Sequence, residues 1–280
     1  MQPIACAGPA GPVRLVTGEA RPGSRIVWRC AGAGAPLLLL HGGMGSWNHW
    51  VRNVDALAAS YRVLVPDMPG YGESDLPDGA DDPPALARAL RDGLDELLAP
   101  DERLRIAAFS FGGTVAGQLL LAMPDRIAGL ALVGSAGLGV VRPGTVPMER
   151  WKGVDDPAAL AGVHRRNLAR LMISRADRVD EQAVRLHASN LARGRVRSVA
   201  HSLGDSLRQA LAAVPVPLAG IWGELDPTTP RGPQEVGEIF QALRGDQARL
   251  TVLPDAGHWV QYEASDRFNP LLLEALRAFA

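Results

Sequence analysis

This sequence predicts a doubly wound α/β fold: a mostly parallel sheet with helices on both faces and a helical lid inserted in its second half. Three observations carry that reading. Short, continuously apolar runs of strand length recur along the chain and end in turn residues. Helix-like stretches separate them, and strands alternating with helices imply a parallel sheet buried on both faces. One long segment then breaks the rhythm, with no strand-like run in it.

In chain order the strand-like runs are RIVWRC (25–30), PLLLL (36–40), RVLVP (62–66), LRIAAF (104–109), AGLALVG (128–134), VPLAGIWG (216–223) and ARLTVL (248–253). Helix-like stretches cover 48–59, 84–99, 112–123, 232–243 and 265–279. From about 139 to 214, arginines, alanines and polar residues recur at helical spacing, as in DPAALAGVHRRNLARLMI and DEQAVRLHASNLARGRV. Proline and glycine punctuate both ends, in GLGVVRPGTVP and AAVPVP. The domain reading is a core in two parts, 1–138 and 215–280, with 139–214 as a helical lid over the carboxyl edge of the sheet. Ordinary crossover helices are the alternative.

Composition narrows the class. The 280 residues suit one large α/β domain with a sizeable core. With 29 Lys and Arg against 30 Asp and Glu, nothing points to a nucleic-acid partner or an anionic membrane face. The start, MQPIACAGPAGPV, lacks the basic and apolar regions of a signal peptide. Cys6 and Cys30 imply no disulfide framework and read as free thiols in a reducing compartment. The expectation is a cytoplasmic enzyme acting on a small-molecule substrate, with a homo-oligomer left open.

The stretch IAAFSFGGTVA (106–116) sets Ser110 between a strand and a helix. That is the context of a nucleophile elbow, a tight, strained turn that holds a serine oxygen exposed. The residues two before and two after must be small, and here they are Ala108 and Gly112, with Gly113 bringing the helix close to the strand. A serine N-cap would look similar. Partners argue for the elbow, because a hydroxyl becomes nucleophilic when a base takes its proton and a third group orients that base. IWGELDPTTP places Asp226 beyond one strand, and LPDAGHWVQYE places His258 beyond the last. Glu224 and Asp255 are rival acids, and Asp226 is favoured by its place in a G-x-x-D turn.

LLLLHGGMGSW leads a strand into His-Gly-Gly, where missing side chains let a backbone N–H face a reacting carbonyl. The expected oxyanion donors are the amides of Gly43 and Phe111. His41 reads as a structural loop residue, and the loop lacks the G-K-[ST] ending of a phosphate-binding loop. His49, His164, His187 and His201 show no metal-ligand pairing, so no metal and no cofactor are expected. PDMPGYGESD (66–75), with Asp67 and Glu73, reads as a loop shaping the edge of the site.

The blocks HGG, DMPGYGESD, SFGG, GELD and GHW stand in the order of the α/β-hydrolase superfamily, which the chain resembles over roughly 24 to 280. The tail GHWVQYEASDRFNPLLLEAL and the W…RNV pattern from Trp47 to Val54 are similar to one branch, the meta-cleavage product hydrolases. These cut carbon–carbon bonds in vinylogous 1,5-diketones from aromatic-ring degradation. The resemblance implies an α/β-hydrolase fold, a Ser110–His258–Asp226 triad, and Trp259 on the pocket wall beside the histidine. Three positions depart from that branch. Phe109 stands where it has asparagine, so Phe109 becomes a substrate-contacting candidate. Met44 interrupts the glycine loop, and His187 falls near the place of a lid arginine. The reading is a serine hydrolase of small to medium carboxylic esters. Carbon–carbon bond hydrolysis and a catalytically idle binding protein are the alternatives, and fold alone leaves lyase and oxygenase chemistry open.

Overall fold

The computed structural model describes residues 13–16, 25–77, 81–141 and 144–279. Eight strands form one sheet: β1 (Val13–Val16), β2 (Val27–Ala31), β3 (Pro36–Leu40), β4 (Arg62–Pro66), β5 (Leu104–Phe109), β6 (Ile127–Val133), β7 (Leu218–Gly223) and β8 (Ala248–Leu253). Their order is β1-β2-β4-β3-β5-β6-β7-β8. The β1–β2 and β2–β4 pairs are antiparallel and the rest are parallel. The helices are α1 (Val54–Ala58), α2 (Pro83–Leu97), α3 (Phe111–Ala122), α4 (Pro157–Leu171), α5 (Glu181–Arg193), α6 (Ser198–Ser202), α7 (Ser206–Ala213), α8 (Gln234–Arg244), α9 (Val260–Glu263) and α10 (Ser265–Arg277).

Successive strand residues point to opposite faces, so an unbroken apolar run needs an apolar layer on each side. Leu38 and Leu40 of β3, Ile106 and Ala108 of β5, and Leu130 and Leu132 of β6 join one core with α2, α3 and α8. Leu37, Leu39, Ala107, Phe109, Ala131 and Val133 join the other, with α1 and α10. Helix starts follow their sequence signals. Asp82, Asp156 and Asp180 cap α2, α4 and α5, each accepting an N–H three residues on at 2.7–2.8 Å. Between β6 and β7 the described residues hold α4 to α7 and no strand.

Some expectations change. The helix expected over 48–59 divides into a 3₁₀ turn, Trp47–Trp50, and α1. Asn53 interrupts it, because its side chain bonds the Gln261 carbonyl at 2.9 Å and Asn269 at 2.7 Å. Strand β1 was not foreseen. Cys30, expected as a free thiol, is disulfide-bonded. It stands opposite Val13 in the β1–β2 ladder, and that pairing brings the N-terminal part of the chain to this cysteine. Cys6 lies outside the described residues. No helix among them is long and apolar enough to cross a membrane.

The strand order reverses between β3 and β5, and loops at such a switch point diverge to leave a crevice beyond the carboxyl ends. The His41–Gly43 loop follows β3 and Ser110 follows β5. At the other end of the site, the turn after β7 and the loop after β8 touch. Glu224 N–H bonds the Leu253 carbonyl and Leu225 N–H bonds the Ala256 carbonyl, both at 2.9 Å. Gly223 allows that approach, since a Cβ there would lie 2.1 Å from the Gly257 carbonyl oxygen. Gly223→Ala is therefore expected to destabilise the protein by about 3 kcal/mol and to lower activity by forcing the two loops apart. Urea unfolding and an activity assay on the folded fraction check both effects.

Candidate active site

Ser110 joins β5 to α3 with φ 51° and ψ −120°, a backbone that side-chain-bearing residues rarely adopt. Its N–H bonds the Val133 carbonyl at 3.0 Å, and its carbonyl accepts the N–H groups of Gly113 and Ala136, each at 2.9 Å. The need for small neighbours comes from adjoining strands. A Cβ on Gly112 would meet the His41 and Leu40 carbonyl oxygens at 2.7 and 2.8 Å, so it is the end of β3 that crowds it. A Cβ on Gly113 would meet Ser135 at 2.5 Å, in the turn after β6.

The fold brings three sequence-predicted residues into one line. Ser110 Oγ lies 2.9 Å from His258 Nε2, and His258 Nδ1 lies 2.8 Å from Asp226 Oδ2. With Nδ1–H donating to the carboxylate, Nε2 is left to accept the hydroxyl proton. Asp226 is buried, and its second oxygen accepts the Thr228 N–H at 2.8 Å. Glu224 and Asp255, the rival acids, are exposed, and neither bonds the imidazole. Gly134, with positive φ, leaves room for this contact. Its Cβ would stand 3.1 Å from His258 Nδ1 and 3.2 Å from Asp226 Oδ2.

Sequence reasoning missed the support of the histidine loop. The Glu263 carboxylate, 2% exposed, accepts the Gly257 N–H at 2.8 Å and the Ser174 N–H at 3.0 Å. On the other side of His258, Trp259 N–H bonds the Met172 carbonyl at 2.7 Å. Glu263 closes the GHWVQYE stretch quoted above, but the motif does not show which amides its carboxylate accepts.

Ser110 and His258 open on a cavity of about 330 Å³. Gly43, Phe109 and Phe111 line it from the core, and Met148, Leu171 and Met172 line it from the segment between β6 and β7. Among the described residues on its wall, His258 is the only one with an ionisable side chain. Trp259, expected there, does not line this cavity. Its indole N–H bonds the His49 carbonyl at 2.9 Å and its ring stacks on Tyr262 at 4.0 Å, which buries it in the core. The three non-glycine residues with positive φ among those described are Met44, Ser110 and Asp255, all in loops around the site.

A model of the alpha/beta hydrolase family matches residues 37–271. The chain belongs to this family. Among its relatives is the dihydrolipoyllysine-residue acetyltransferase component of an acetoin cleaving system from Pseudomonas putida, 34% identical over 87% of this hydrolase. This chain spans 64% of that protein's length. A 2-hydroxy-6-oxononadienedioate/2-hydroxy-6-oxononatrienedioate hydrolase from Paraburkholderia phymatum is 31% identical, over 90% of this chain and 91% of that one. A thermophilic esterase structure from Thermogutta terrifontis superposes with a TM-score of 0.68 at 25% identity, covering 96% of this chain and 99% of that one. The likeness to the second relative agrees with the resemblance seen in the tail motif.

His41, His49, His164 and His187 are structural in their contacts. His41 donates from Nδ1 to the Gly42 carbonyl at 2.8 Å and accepts the Met68 N–H at Nε2, 2.9 Å away. His49 Nδ1 accepts the Gly42 N–H at 3.2 Å. His187 faces His164, Nδ1 to Nδ1 at 3.2 Å, and does not reach the cavity wall. Asp67 holds its loop through Arg29, the Trp47 N–H and the Glu73 N–H.

Two outcomes are expected. Asp226→Asn should lower kcat about 10⁴-fold by removing the acceptor that fixes the His258 tautomer, whereas Asp255→Asn should leave turnover close to wild type in the same assay. Burial lowers His41 and His187 from 6.5 to about 4, so the native state resists protons that the unfolded chain accepts. Their contribution to stability is complete above pH 6.5 and is lost as pH falls from there through about 4. Urea midpoints measured across that window should fall with pH, and His187→Gln should flatten the slope.

Proposed function

We propose that this hydrolase cleaves small to medium, uncharged carboxylic esters, with Ser110 as nucleophile, His258 as base and then acid, and Asp226 as the orienting group. The observation that carries the reading is a Ser–His–Asp hydrogen-bonded line opening on an apolar cavity whose wall, among the described residues, holds no cation. Ser110 Oγ attacks the ester carbonyl as its proton passes to His258 Nε2, and the Asp226 carboxylate stabilises the imidazolium through Nδ1–H. The tetrahedral oxyanion lies against the N–H groups of Gly43 and Phe111. His258 returns the proton to the leaving alkoxide, and water then takes the alcohol's place to release the acid. No cofactor enters these steps.

The segment 139–214 acts as a lid in this reading. It supplies Met148, Leu171 and Met172 to the pocket wall and selects the acyl chain without joining the chemistry. Phe109 completes the wall beneath. Its ring lies 4.9 Å from that of His258 and 5.3 Å from that of His49. An aromatic ring there suits an apolar acyl group and offers nothing to a carboxylate.

A second reading is carbon–carbon bond hydrolysis of a ring-fission product. The likeness to the Paraburkholderia hydrolase supports it, and the same line of residues could serve it. A panel of p-nitrophenyl esters of increasing acyl length, run beside one ring-fission dienoate, separates the two. Esters should give the higher kcat/KM, with an optimum at intermediate length. A dienoate that outruns the best ester would install the second reading. Under either one, Ser110→Ala should lower kcat by about 10⁴–10⁶-fold and abolish labelling by a fluorophosphonate probe.

A further inference from the structure

Gly43 has an ordinary backbone and is not among the glycines with positive φ. What demands a glycine there is space. A Cβ would stand 2.2 Å from Ser198 Oγ and 2.7 Å from Ser198 Cβ. The same Cβ would lie 3.6 Å from that of Phe111, so the Ser198 hydroxyl sits where the two expected oxyanion donors meet. Ser198 opens α6, is 3% exposed, and lines the cavity together with Ser110 and His258. It comes from the segment between β6 and β7, so it reaches the glycine loop from the opposite side of the pocket.

Tyr71, from the loop after β4, stands next to Ser198. Its ring packs edge-on to His41 at 5.0 Å and lies 6.4 Å from Phe111. Its hydroxyl is fully buried and makes no well-formed hydrogen bond, though the Ser198 hydroxyl approaches it. An unpaired buried hydroxyl costs about 1–3 kcal/mol, and such a group calls for an explanation. Burial pushes the phenol above its ordinary range, and the neighbouring Ser198 hydroxyl is what works against that rise.

We propose that Ser198 is a third oxyanion donor and that Tyr71 positions it. This rests on the serine-hydrolase reading above and adds a catalytic residue to it. When the tetrahedral intermediate forms, Ser198 turns its O–H toward the oxyanion beside the Gly43 N–H. Its freed lone pair then accepts the Tyr71 O–H, so the buried phenol gains its partner as charge develops. Hydrogen bonds in such a chain polarise one another, which strengthens the one that meets the substrate. No proton changes owner, and the arrangement favours the intermediate over the bound ester. Because Ser198 belongs to the lid segment, the hole is complete only while that segment covers the site.

The test uses the full-length protein with p-nitrophenyl butyrate as substrate and an alkyl trifluoromethyl ketone as the oxyanion-forming probe. Ser198→Ala should lower kcat about 10–100-fold, less than the ~10²–10³-fold of a preorganised donor because a side chain must rotate. KM should stay within about twofold, since the bond strengthens only as charge develops. Ketone affinity should fall by the same factor as kcat. Tyr71→Phe should cost less, and that cost should vanish in the Ser198→Ala background, because the two hydroxyls act as a unit. Neither change should alter the pH dependence of kcat, which a displaced active site would. Ser198→Cys, with nearly the same volume and a weaker donor, should fall between and covers the case of an unfolded alanine variant. Wild-type kcat and ketone affinity in Ser198→Ala, or in Ser198→Cys if alanine does not fold, would overturn the proposal, as would fully additive losses. Full turnover in Ser110→Ala would instead overturn the hydrolase mechanism itself.

Discussion

The left-handed backbone at Ser110 is the constraint around which the site is built. A non-glycine residue at φ 51° costs about 1–3 kcal/mol and persists only where its surroundings over-determine it. Here β6 takes its N–H, the turn after β6 donates to its carbonyl, and the end of β3 presses on Gly112. Three parallel strands thus meet at one turn. Their order, with β3 and β5 side by side at the reversal, is what puts the glycine loop next to the serine. A sheet wound differently would separate the two.

The His258 imidazole is held as firmly, by a different device. Glu263 binds the amide before His258, and the Met172 carbonyl takes the amide after it. Met172 also lines the cavity, so the pocket wall and the imidazole share one support. A second tie joins α5 to the turn after β3. Asn48 and Asn190 exchange amide hydrogen bonds at 3.0 and 2.8 Å, and Ser46 Oγ donates to the same Asn190 oxygen at 2.9 Å. Buried amides left unpaired would be expensive, so separating α5 from that turn means breaking this cluster. The segment between β6 and β7 is therefore tied to the core through a few polar contacts as well as through apolar packing.

The histidines show how burial keeps the region electrically quiet. His41 and His49 sit within the core beside the site, and burial pushes both well below their ordinary value. Each uses a ring nitrogen to accept a backbone N–H, which a protonated ring could not do. Neutral imidazoles so placed hold the glycine loop without adding charge beside the His258–Asp226 pair.

The sequence by itself determined the strands and the tight turn at Ser110, because each is written in local pattern. PLLLL and LRIAAF are unbroken apolar runs because both faces of their strands are buried, and A-x-S-x-G-G is small where a tight turn must be small. The tertiary structure decided what depends on contacts distant in the chain. The G-x-x-D turn favours Asp226 over Glu224 and Asp255, and burial against an imidazole 32 residues away shows which of the three bonds it. Trp259 reads as a pocket residue until its indole is seen bonded to His49 and stacked on Tyr262. Ser198 carries no periodicity or motif, and the GHWVQYE motif that contains Glu263 does not show which backbone amides its carboxylate accepts. Periodicity records which face of an element is buried, whereas the partner of a polar side chain is chosen by topology, across 148 residues for Ser110 and His258.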